Sequence, residues 1–234
     1  MRFRLRPGRS WLRLLGCIAD GFRQRTAHTL RHITIINPFV RKTWPEFSFR
    51  VHGETFLKDM IEAGREAGMK PFLMWGTLLG LVREGGLIKH DKDIDVGILA
   101  QDWSKRHLLI EGMQRRGYIL AFDRKYKIRF NRRDRMFHLD VDVFFRWEDK
   151  MVCLLLLDDG RFQGAWFPPH LFDSFRSCAF LGTEVLIPDP PEPILGAVYG
   201  DWRTPVKSYS YTGIPNWLEL PAGTKSPMMP DLGA

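Results

Sequence analysis

The chain has 234 residues, of which 44% are hydrophobic and 13% aromatic, enough to bury a sizeable core in one globular domain. This composition excludes a chain that is disordered throughout. The net charge of +8 is concentrated at the N-terminus, because residues 1–50 contain 11 Lys and Arg residues against only Asp20 and Glu46. The remaining residues are close to neutral, which argues against nucleic acid as a partner.

Cysteine usage and hydropathy limit the compartment. Cys17, Cys153 and Cys178 lie far apart and form no CxxC pair, which argues against a zinc knuckle or a disulfide framework and favours a reducing compartment. The longest apolar runs, such as residues 151–157, are far shorter than the about 20 residues of a transmembrane helix. We therefore expect a cytoplasmic protein.

Residues 1–50 are predicted to form a basic arm that precedes the folded domain. Apolar residues recur in it at helical spacing, with arginines between them. The apolar residues of this predicted amphipathic helix are Trp11, Leu14, Leu15, Ile18 and Phe22. Such a helix either makes a peripheral contact with the anionic inner face of a membrane or packs on the domain.

An α+β catalytic domain is predicted over residues 51–205, followed by a loop-like tail at 206–234 that is rich in Gly, Pro and Ser. The predicted elements, in chain order, are a helix at 53–68, a buried strand at 71–75, a short helix at 78–84, a strand at 91–98, a helix at 104–116, one or two strands at 118–130, a strand at 137–145 and a short helix at 194–199. Gly85 and Gly86 are expected to end the helix at 78–84.

The first acidic motif, DKDIDVGI, lies in the predicted strand at 91–98. Side chains alternate along a strand, so Asp91, Asp93 and Asp95 share one face while an apolar row shares the other. The three carboxylates repel one another, and the apolar row prevents the strand from turning them into water. A divalent cation is therefore expected at this face.

The second acidic motif, FHLDVDVFF, places Asp140 and Asp142 on one face together with His138. If the two acidic strands are neighbours in one sheet, Asp142 meets Asp93 and Asp95. Three carboxylates in that arrangement can hold two metal ions, as in phosphoryl transfer. We interpret His138 as a hydrogen-bonded neighbour of this cluster rather than as a ligand.

A third motif, Gly76 followed by Thr77, lies between a predicted buried strand and a predicted helix. Free backbone N–H groups at the start of a helix favour a phosphate group, and glycine permits its close approach. The Thr77 hydroxyl can add a hydrogen bond, while Arg83 and Lys89 can neutralise phosphate oxygens. These four residues are the predicted donor-phosphate site.

The run WGTLLGLVREGGLIKHDKDIDVGI, with the later LDVDVFF and YGDWRTP, resembles the LicD family of phosphotransferases, which includes fukutin-related proteins and bacterial phosphocholine transferases. The resemblance covers roughly residues 72–205 and is densest over 75–98. It implies a polymerase-beta-like nucleotidyltransferase fold with a small mixed sheet and flanking helices. It also implies dependence on Mg²⁺, with Mn²⁺ as the alternative ion.

The resemblance further implies the substrates. They are a donor that is a CDP-activated alcohol and an acceptor that is a glycan or glycolipid hydroxyl. By the same resemblance, Gly76 and Thr77 hold the donor phosphates. Of the acids, Asp93 and Asp95 match the paired metal-binding residues of the family and Asp142 the third acid, and we predict all three as catalytic residues. Asp91 matches the acid before the pair, and Asp140 has no certain counterpart and ranks behind Asp142.

Other functions stay open on the sequence alone. The same acids suit a nucleotidyltransferase that moves a nucleoside monophosphate from an NTP to a small molecule or protein. A glycosyltransferase also uses a DxD motif to hold a metal-bound sugar nucleotide. A non-catalytic, membrane-associated binding protein on the same fold would account for the basic arm, but it gives no reason for mutually repelling acids on one face.

Overall fold

The computed structural model describes residues 38–89, 91–133, 137–206 and 214–224. The amphipathic helix predicted in the basic arm lies outside these residues. Within them, no helix combines the length and the hydropathy needed to cross a lipid bilayer.

Helix α1, Pro38–Glu66, crosses the predicted boundary at residue 50 between arm and domain. That boundary is therefore wrong. Pro45 has no backbone N–H and disfavours the interior of a helix. Tertiary packing outweighs this preference, since Phe49 is buried and its ring lies 5.2 Å from the ring of Phe137.

The other predicted elements are present in the predicted order, with shifted ends, and the four strands between residues 150 and 188 were not predicted. The other helical segments are α2 (Trp75–Leu79), which continues as a π-helical turn (Gly80–Glu84), a 3-10 segment (Ala100–Lys105), α3 (Arg106–Arg115), a second 3-10 segment (Pro169–Phe172) and α4 (Glu192–Tyr199). The strands are β1 (Phe72–Leu73), β2 (Asp93–Leu99), β3 (Ile119–Arg124), β4 (Lys127–Asn131), β5 (His138–Trp147), β6 (Lys150–Leu156), β7 (Phe162–Phe167), β8 (Phe175–Phe180), β9 (Thr183–Pro188) and β10 (Trp217–Leu220).

The strands form one ten-stranded mixed sheet in the order β10-β7-β6-β5-β2-β1-β9-β8, with β4 also paired to β5 and β3 to β4. The sheet is larger than the small one predicted. At its centre β5 runs parallel to β2, and its other edge pairs antiparallel with β4 and then with β6. The centre of the sheet is thus assembled from strands distant in sequence.

Strand β10 corrects the prediction of a loop-like tail. Trp217 pairs with Ala165 and Leu220 with Phe162, so the tail adds an edge strand to β7. The run WLEL has only four residues and lies among Gly and Pro residues, which leaves too few positions for a strand period to be recognised.

One face of the central strands forms the main core. The alternating apolar residues of β2 and β5 are fully buried there: Ile94, Val96, Ile98, Leu139, Val141 and Val143 are each 0% exposed. Helices α1 and α3 cover this face and approach each other closely, since a Cβ added at Gly112 would lie 3.2 Å from Cβ of Ala63. The apolar rows predicted by alternation are therefore confirmed as core, and the acidic rows face the other side.

An aromatic cluster covers part of the opposite face. Its members, whose ring centroids lie 4.8 to 6.2 Å apart, are Phe72, Trp75, Phe144, Phe167, Phe172 and Phe175. Gly97 of β2 lies under this cluster, where a Cβ would fall 2.9 Å from Cε2 of Phe144 and closer still to the Phe72 ring. Glycine at this position lets the rings lie directly on β2 beside the acidic residues.

Replacing Gly97 by alanine is expected to lower the free energy of unfolding by about 1–3 kcal/mol, since the added carbon overfills a packed core. Urea unfolding followed by circular dichroism measures the change. The matched control is Gly196→Ala in α4, where an added Cβ would meet no other element within 4 Å among the described residues. That variant is expected to match the wild type or to gain up to about 1 kcal/mol. Equal stability of the wild type and Gly97→Ala would contradict the packing described.

Candidate active site

The two acidic strands lie side by side, which is the condition on which the predicted cluster depends. In the parallel pairing of β2 with β5, Asp95 is opposite Asp140, Asp93 is opposite His138, and Gly97 is opposite Asp142. Neighbouring strands are roughly 4.8 Å apart, so Asp95 and Asp140 have adjacent carboxylates. The register therefore brings Asp140 next to Asp95, and Asp142 lies two residues further along β5.

Strand β4 supplies two cations to the acids of β5. Lys127 is opposite Asp142, and Arg129 is opposite Asp140, in the antiparallel pairing. Arg129 binds Asp140 with both ends of its guanidinium group, Nε to Oδ1 at 2.6 Å and Nη2 to Oδ2 at 2.8 Å. The Lys127 ammonium lies 2.7 Å from Oδ2 of Asp140 and 3.1 Å from Oδ1 of Asp142.

The sequence contained a signal for these two cations that was missed. Tyr126, Ile128 and Phe130 are buried in the core, so Lys127 and Arg129 between them must face the acidic side. The alternation is visible in the run YKIRF. What the sequence does not reveal is that this run pairs with β5.

Trp75 fixes the other oxygen of Asp142, with its indole Nε1 donating a hydrogen bond of 2.9 Å to Oδ2. The backbone of Trp75 has a φ of +48°, a left-handed conformation that is rare for a bulky residue and costs of order 1–3 kcal/mol. The indole ring also packs in the aromatic cluster, 6.1 Å from Phe144 and 6.0 Å from Phe167. Trp75 is thus both a member of the aromatic cluster and the residue that orients Asp142.

Asp95 is the least compensated acid of the cluster. It is 8% exposed, and among the described residues no hydrogen bond or ion pair reaches its carboxylate. Burial raises the pKa of Asp95 well above its usual value, the charge of Asp93 adds to this, and Lys127 opposes it. A buried anion of this kind is stabilised by a bound cation.

The acids of β5 are better compensated. Burial acts to raise the pKa of Asp140, but the hydrogen bonds from Arg129 and the charge of Lys127 hold it below its usual value. For Asp142, burial outweighs Lys127, and its pKa is raised. Burial acts to lower the pKa of Lys127, whereas Asp142 and Asp140 raise it further, so that Lys127 stays charged at neutral pH.

Asp93 and His138 lie at the open end of the acidic rows. The Asp93 side chain is 40% exposed, and Nε2 of His138 lies 3.6 Å from its Oδ2 and 3.9 Å from Oδ2 of Asp140. These distances exceed a hydrogen bond. The pKa of His138 is lowered, chiefly by burial, so the ring is neutral at pH 7.

Gly76 adjoins the acids, so that the predicted phosphate turn and the predicted acidic cluster meet. A Cβ at Gly76 would lie 2.8 Å from Oδ2 of Asp91 and 3.8 Å from Oδ2 of Asp95. Thr77 is buried, and its hydroxyl oxygen accepts a 2.8 Å hydrogen bond from the backbone N–H of Asp95. Thr77 therefore joins the start of α2 to β2.

Arg83 and Lys89 are placed differently from Gly76 and Thr77. Arg83 donates hydrogen bonds to the carbonyl of Trp202 at 3.3 Å and to Oε1 of Glu84 at 2.8 Å. Lys89 is exposed and lines a cavity of about 380 Å³ with Phe49, Leu87 and Ile88. Neither side chain pairs with the acidic cluster in the described part of the chain.

The pocket differs from a preassembled metal site. Among the described residues, no three acidic, histidine or cysteine side chains already converge as ligands, because Asp140 and Asp142 point toward Lys127 and Arg129. The donor set still fits a hard cation such as Mg²⁺, which prefers carboxylate oxygens. The main reason for this fit is the buried, unpaired carboxylate of Asp95, which has Asp93 beside it.

The chain is similar to several known proteins. The uncharacterized protein RP689 of Rickettsia prowazekii is 25% identical over 200 residues, 83% of this chain and 70% of that protein. The ribitol-5-phosphate transferase FKTN of Mus musculus is 26% identical over 71% of this chain, which spans only 36% of the FKTN length. A solved structure of ANT(2'')-Ia in complex with adenylyl-2''-tobramycin aligns with a TM-score of 0.40 and 14% identity, over 65% of this chain and 78% of that one.

A family model described as LicD/FKTN/FKRP, nucleotidyltransferase domain, matches residues 68–189. This range runs from the residues before β1 to the end of β9 and contains every acid of the pocket. It also confirms the predicted nucleotidyltransferase fold. Because the matched range exceeds half of the sequence, the chain belongs to the LicD/FKTN/FKRP nucleotidyltransferase-domain family.

Proposed function

We propose that the chain is a Mg²⁺-dependent phosphotransferase, with Mn²⁺ as the alternative ion. In this proposal it transfers a phospho-alcohol, of the ribitol-phosphate or phosphocholine type, from a CDP-activated donor to a hydroxyl of a glycan or glycolipid. The observation that carries the proposal is the buried, unpaired carboxylate of Asp95 next to Gly76. The family, and the similarity to FKTN, a ribitol-5-phosphate transferase, support the class of donor.

The acids have different roles in this proposal. Asp93 and Asp95 would hold the divalent cation, with Asp142 as the third acid beside them. When bound, the cation supplies charge stabilisation at the transferring phosphoryl group and lowers the pKa of the attacking hydroxyl. Asp91 lies at the rim next to Gly76, and Asp140 ranks last because Arg129 and Lys127 already neutralise it.

The residues around the acids orient the reactants. The absence of a side chain at Gly76 avoids a collision with the Asp91 carboxylate, and the first backbone N–H groups of α2 would favour the charge of the donor diphosphate. In this proposal Lys89, exposed in the loop before β2, would contact the same phosphates, whereas Arg83 ranks behind it because of its bonds to Trp202 and Glu84.

Asp142 is the acid that we assign to accept the proton of the attacking hydroxyl. Its pKa is raised by burial, which makes the carboxylate a better base at neutral pH. The hydrogen bond from Trp75 and the ion pair with Lys127 fix both of its oxygens. Each carboxylate oxygen has a second lone pair, so the proton can still be accepted.

A nucleotidyltransferase is the second candidate, because the matched family model is described as a nucleotidyltransferase domain. The two reactions release different products. The purified chain is incubated with labelled CDP-ribitol or CDP-choline and a glycan acceptor, and separately with each NTP. Release of CMP together with labelling of the acceptor supports the phosphotransferase, whereas release of pyrophosphate from an NTP without CMP formation supports the alternative.

Asp95→Asn is expected to lower phosphotransfer at least about 100-fold, because the neutral amide cannot replace a metal-binding carboxylate. The same variant is expected to be no less stable than the wild type at pH 7 without a divalent cation. The reason is that burial disfavours the charged form of Asp95, and the substitution removes that charge. Turnover and urea unfolding are measured on the same preparations.

The matched control is Asp158→Asn, which removes an acid whose side chain is 94% exposed, at the turn between β6 and β7. It is expected to keep full turnover and wild-type stability. Full turnover in Asp95→Asn would remove Asp95 from the site, and unfolding of that variant would contradict the electrostatic account.

Mg²⁺ is expected to raise the melting temperature of the wild type but not that of Asp95→Asn. A ligand at 100 times its dissociation constant stabilises the folded state by about 2.7 kcal/mol. Thermal unfolding with increasing MgCl₂, against NaCl of equal ionic strength, measures the shift. An equal shift in both proteins would place the binding of Mg²⁺ elsewhere on the chain.

A further inference from the structure

On the pocket face, three adjacent strands carry a row of cations, then a row of acids, then a second row of acids. Strand β4 carries Lys127 and Arg129, β5 carries Asp142 and Asp140 directly opposite them, and β2 carries acids on the far side of β5. The acids of β5 therefore lie between a row of cations and a second row of acids. Cross-strand neighbours of opposite charge attract, whereas the β5 and β2 rows repel each other.

The charges of these rows leave a deficit of two. Two carboxylates on β5 face two cations on β4, with contacts of 2.6 to 3.1 Å. The two carboxylates of β2, Asp93 and Asp95, have no lysine or arginine within 4 Å among the described residues. One divalent cation supplies the positive charge that Asp93 and Asp95 lack.

The Lys127 ammonium also occupies space that a second metal ion would need. Paired metal ions in phosphoryl-transfer sites lie about 3.5–4 Å apart and share carboxylate ligands. The ligand facing a second ion here would be Asp142, and its Oδ1 lies 3.1 Å from the Lys127 ammonium while its Oδ2 accepts the bond from Trp75. Asp140 is engaged by both nitrogens of the Arg129 fork and by Lys127.

The Lys127 side chain is not positioned to leave easily. It is 16% exposed, and its ammonium contacts two buried carboxylates at once. Removing one partner from a buried ion pair leaves the other charge buried and unpaired, which destabilises the folded state. A second metal ion would have to replace the ammonium rather than bind beside it.

We propose that Lys127 takes the place of a second metal ion, so that the pocket binds one divalent cation, held by Asp93 and Asp95. This inference rests on the proposed function and differs from the two-metal arrangement expected from the sequence. Lys127 is then a positioning residue. Its fixed positive charge holds Asp142 in place and stands where a two-metal site has the positive charge of the second ion.

The test counts Mn²⁺ ions bound per chain, by electron paramagnetic resonance of free Mn²⁺ during titration of the full chain with MnCl₂ alone. The wild type is expected to bind one ion in the pocket, with the count falling by one in Asp95→Asn. Lys127→Arg keeps the charge and is expected to bind one ion. Lys127→Met removes the charge at similar side-chain length and is expected to bind two.

Two pocket ions in the wild type, or none, would overturn the proposal, as would a single ion in folded Lys127→Met. Circular dichroism with and without Mn²⁺ shows whether Lys127→Met folds. If it does not fold, the wild-type count and Lys127→Arg decide, because two ions in either protein contradict the replacement.

The ion count is independent of the chemistry of the donor. One ion in the wild type and two in Lys127→Met, combined with no CMP release from CDP-alcohols, would leave the inference on Lys127 standing and reject only the proposed reaction. CMP release with two ions in the wild type would do the reverse.

Discussion

The pocket depends on one electrostatic constraint, the repulsion between carboxylates on two adjacent parallel strands. Asp95 and Asp140 are direct neighbours across the β2–β5 pair, and both are almost fully buried. Such a pair is stable only if cations or hydrogen-bond donors compensate it. Lys127 and Arg129 on β4 compensate the β5 side, and the indole of Trp75 fixes Asp142. The order of strands β4, β5 and β2 therefore determines which acids are neutralised.

Backbone features bring the compensating groups close enough to act. Gly97 lets the rings of the aromatic cluster lie on β2, and these rings exclude water from the inner end of the acidic rows. Electrostatic interactions strengthen where water is excluded. The left-handed backbone of Trp75 turns the chain from β1 into α2 and directs the indole at Asp142, while Gly76 leaves space beside Asp95. Conformational strain, close packing and charge all meet at this one turn.

Local patterns predicted the parts of the site that depend on local periodicity. The alternation in DKDIDVGI and FHLDVDVFF predicted which residues are core and which acids share a face, because strand period is a property of neighbouring residues. The register between the strands was not predictable. The contact of Asp95 with Asp140 and the pairing of Lys127 with Asp142 depend on that register, so they were not predictable either. Strand pairing joins distant segments, and a shift of one residue would exchange the two faces. The same limit explains why strand β10 and the extended start of helix α1 were not predicted, since tertiary contacts outweigh weak local signals there.

The acids of the sheet differ in how fully neighbouring cations compensate their charge. This difference distinguishes what serves folding from what serves function. Compensating every carboxylate would give the more stable fold, since an unpaired buried charge lowers stability. A lysine placed beside Asp95, like Lys127 beside Asp142, would achieve this. In the proposed function, it would also fill the position that the divalent cation takes. The absence of such a partner for Asp95 among the described residues is therefore better explained by binding than by folding, while Asp140 and its bidentate arginine are explained by folding alone.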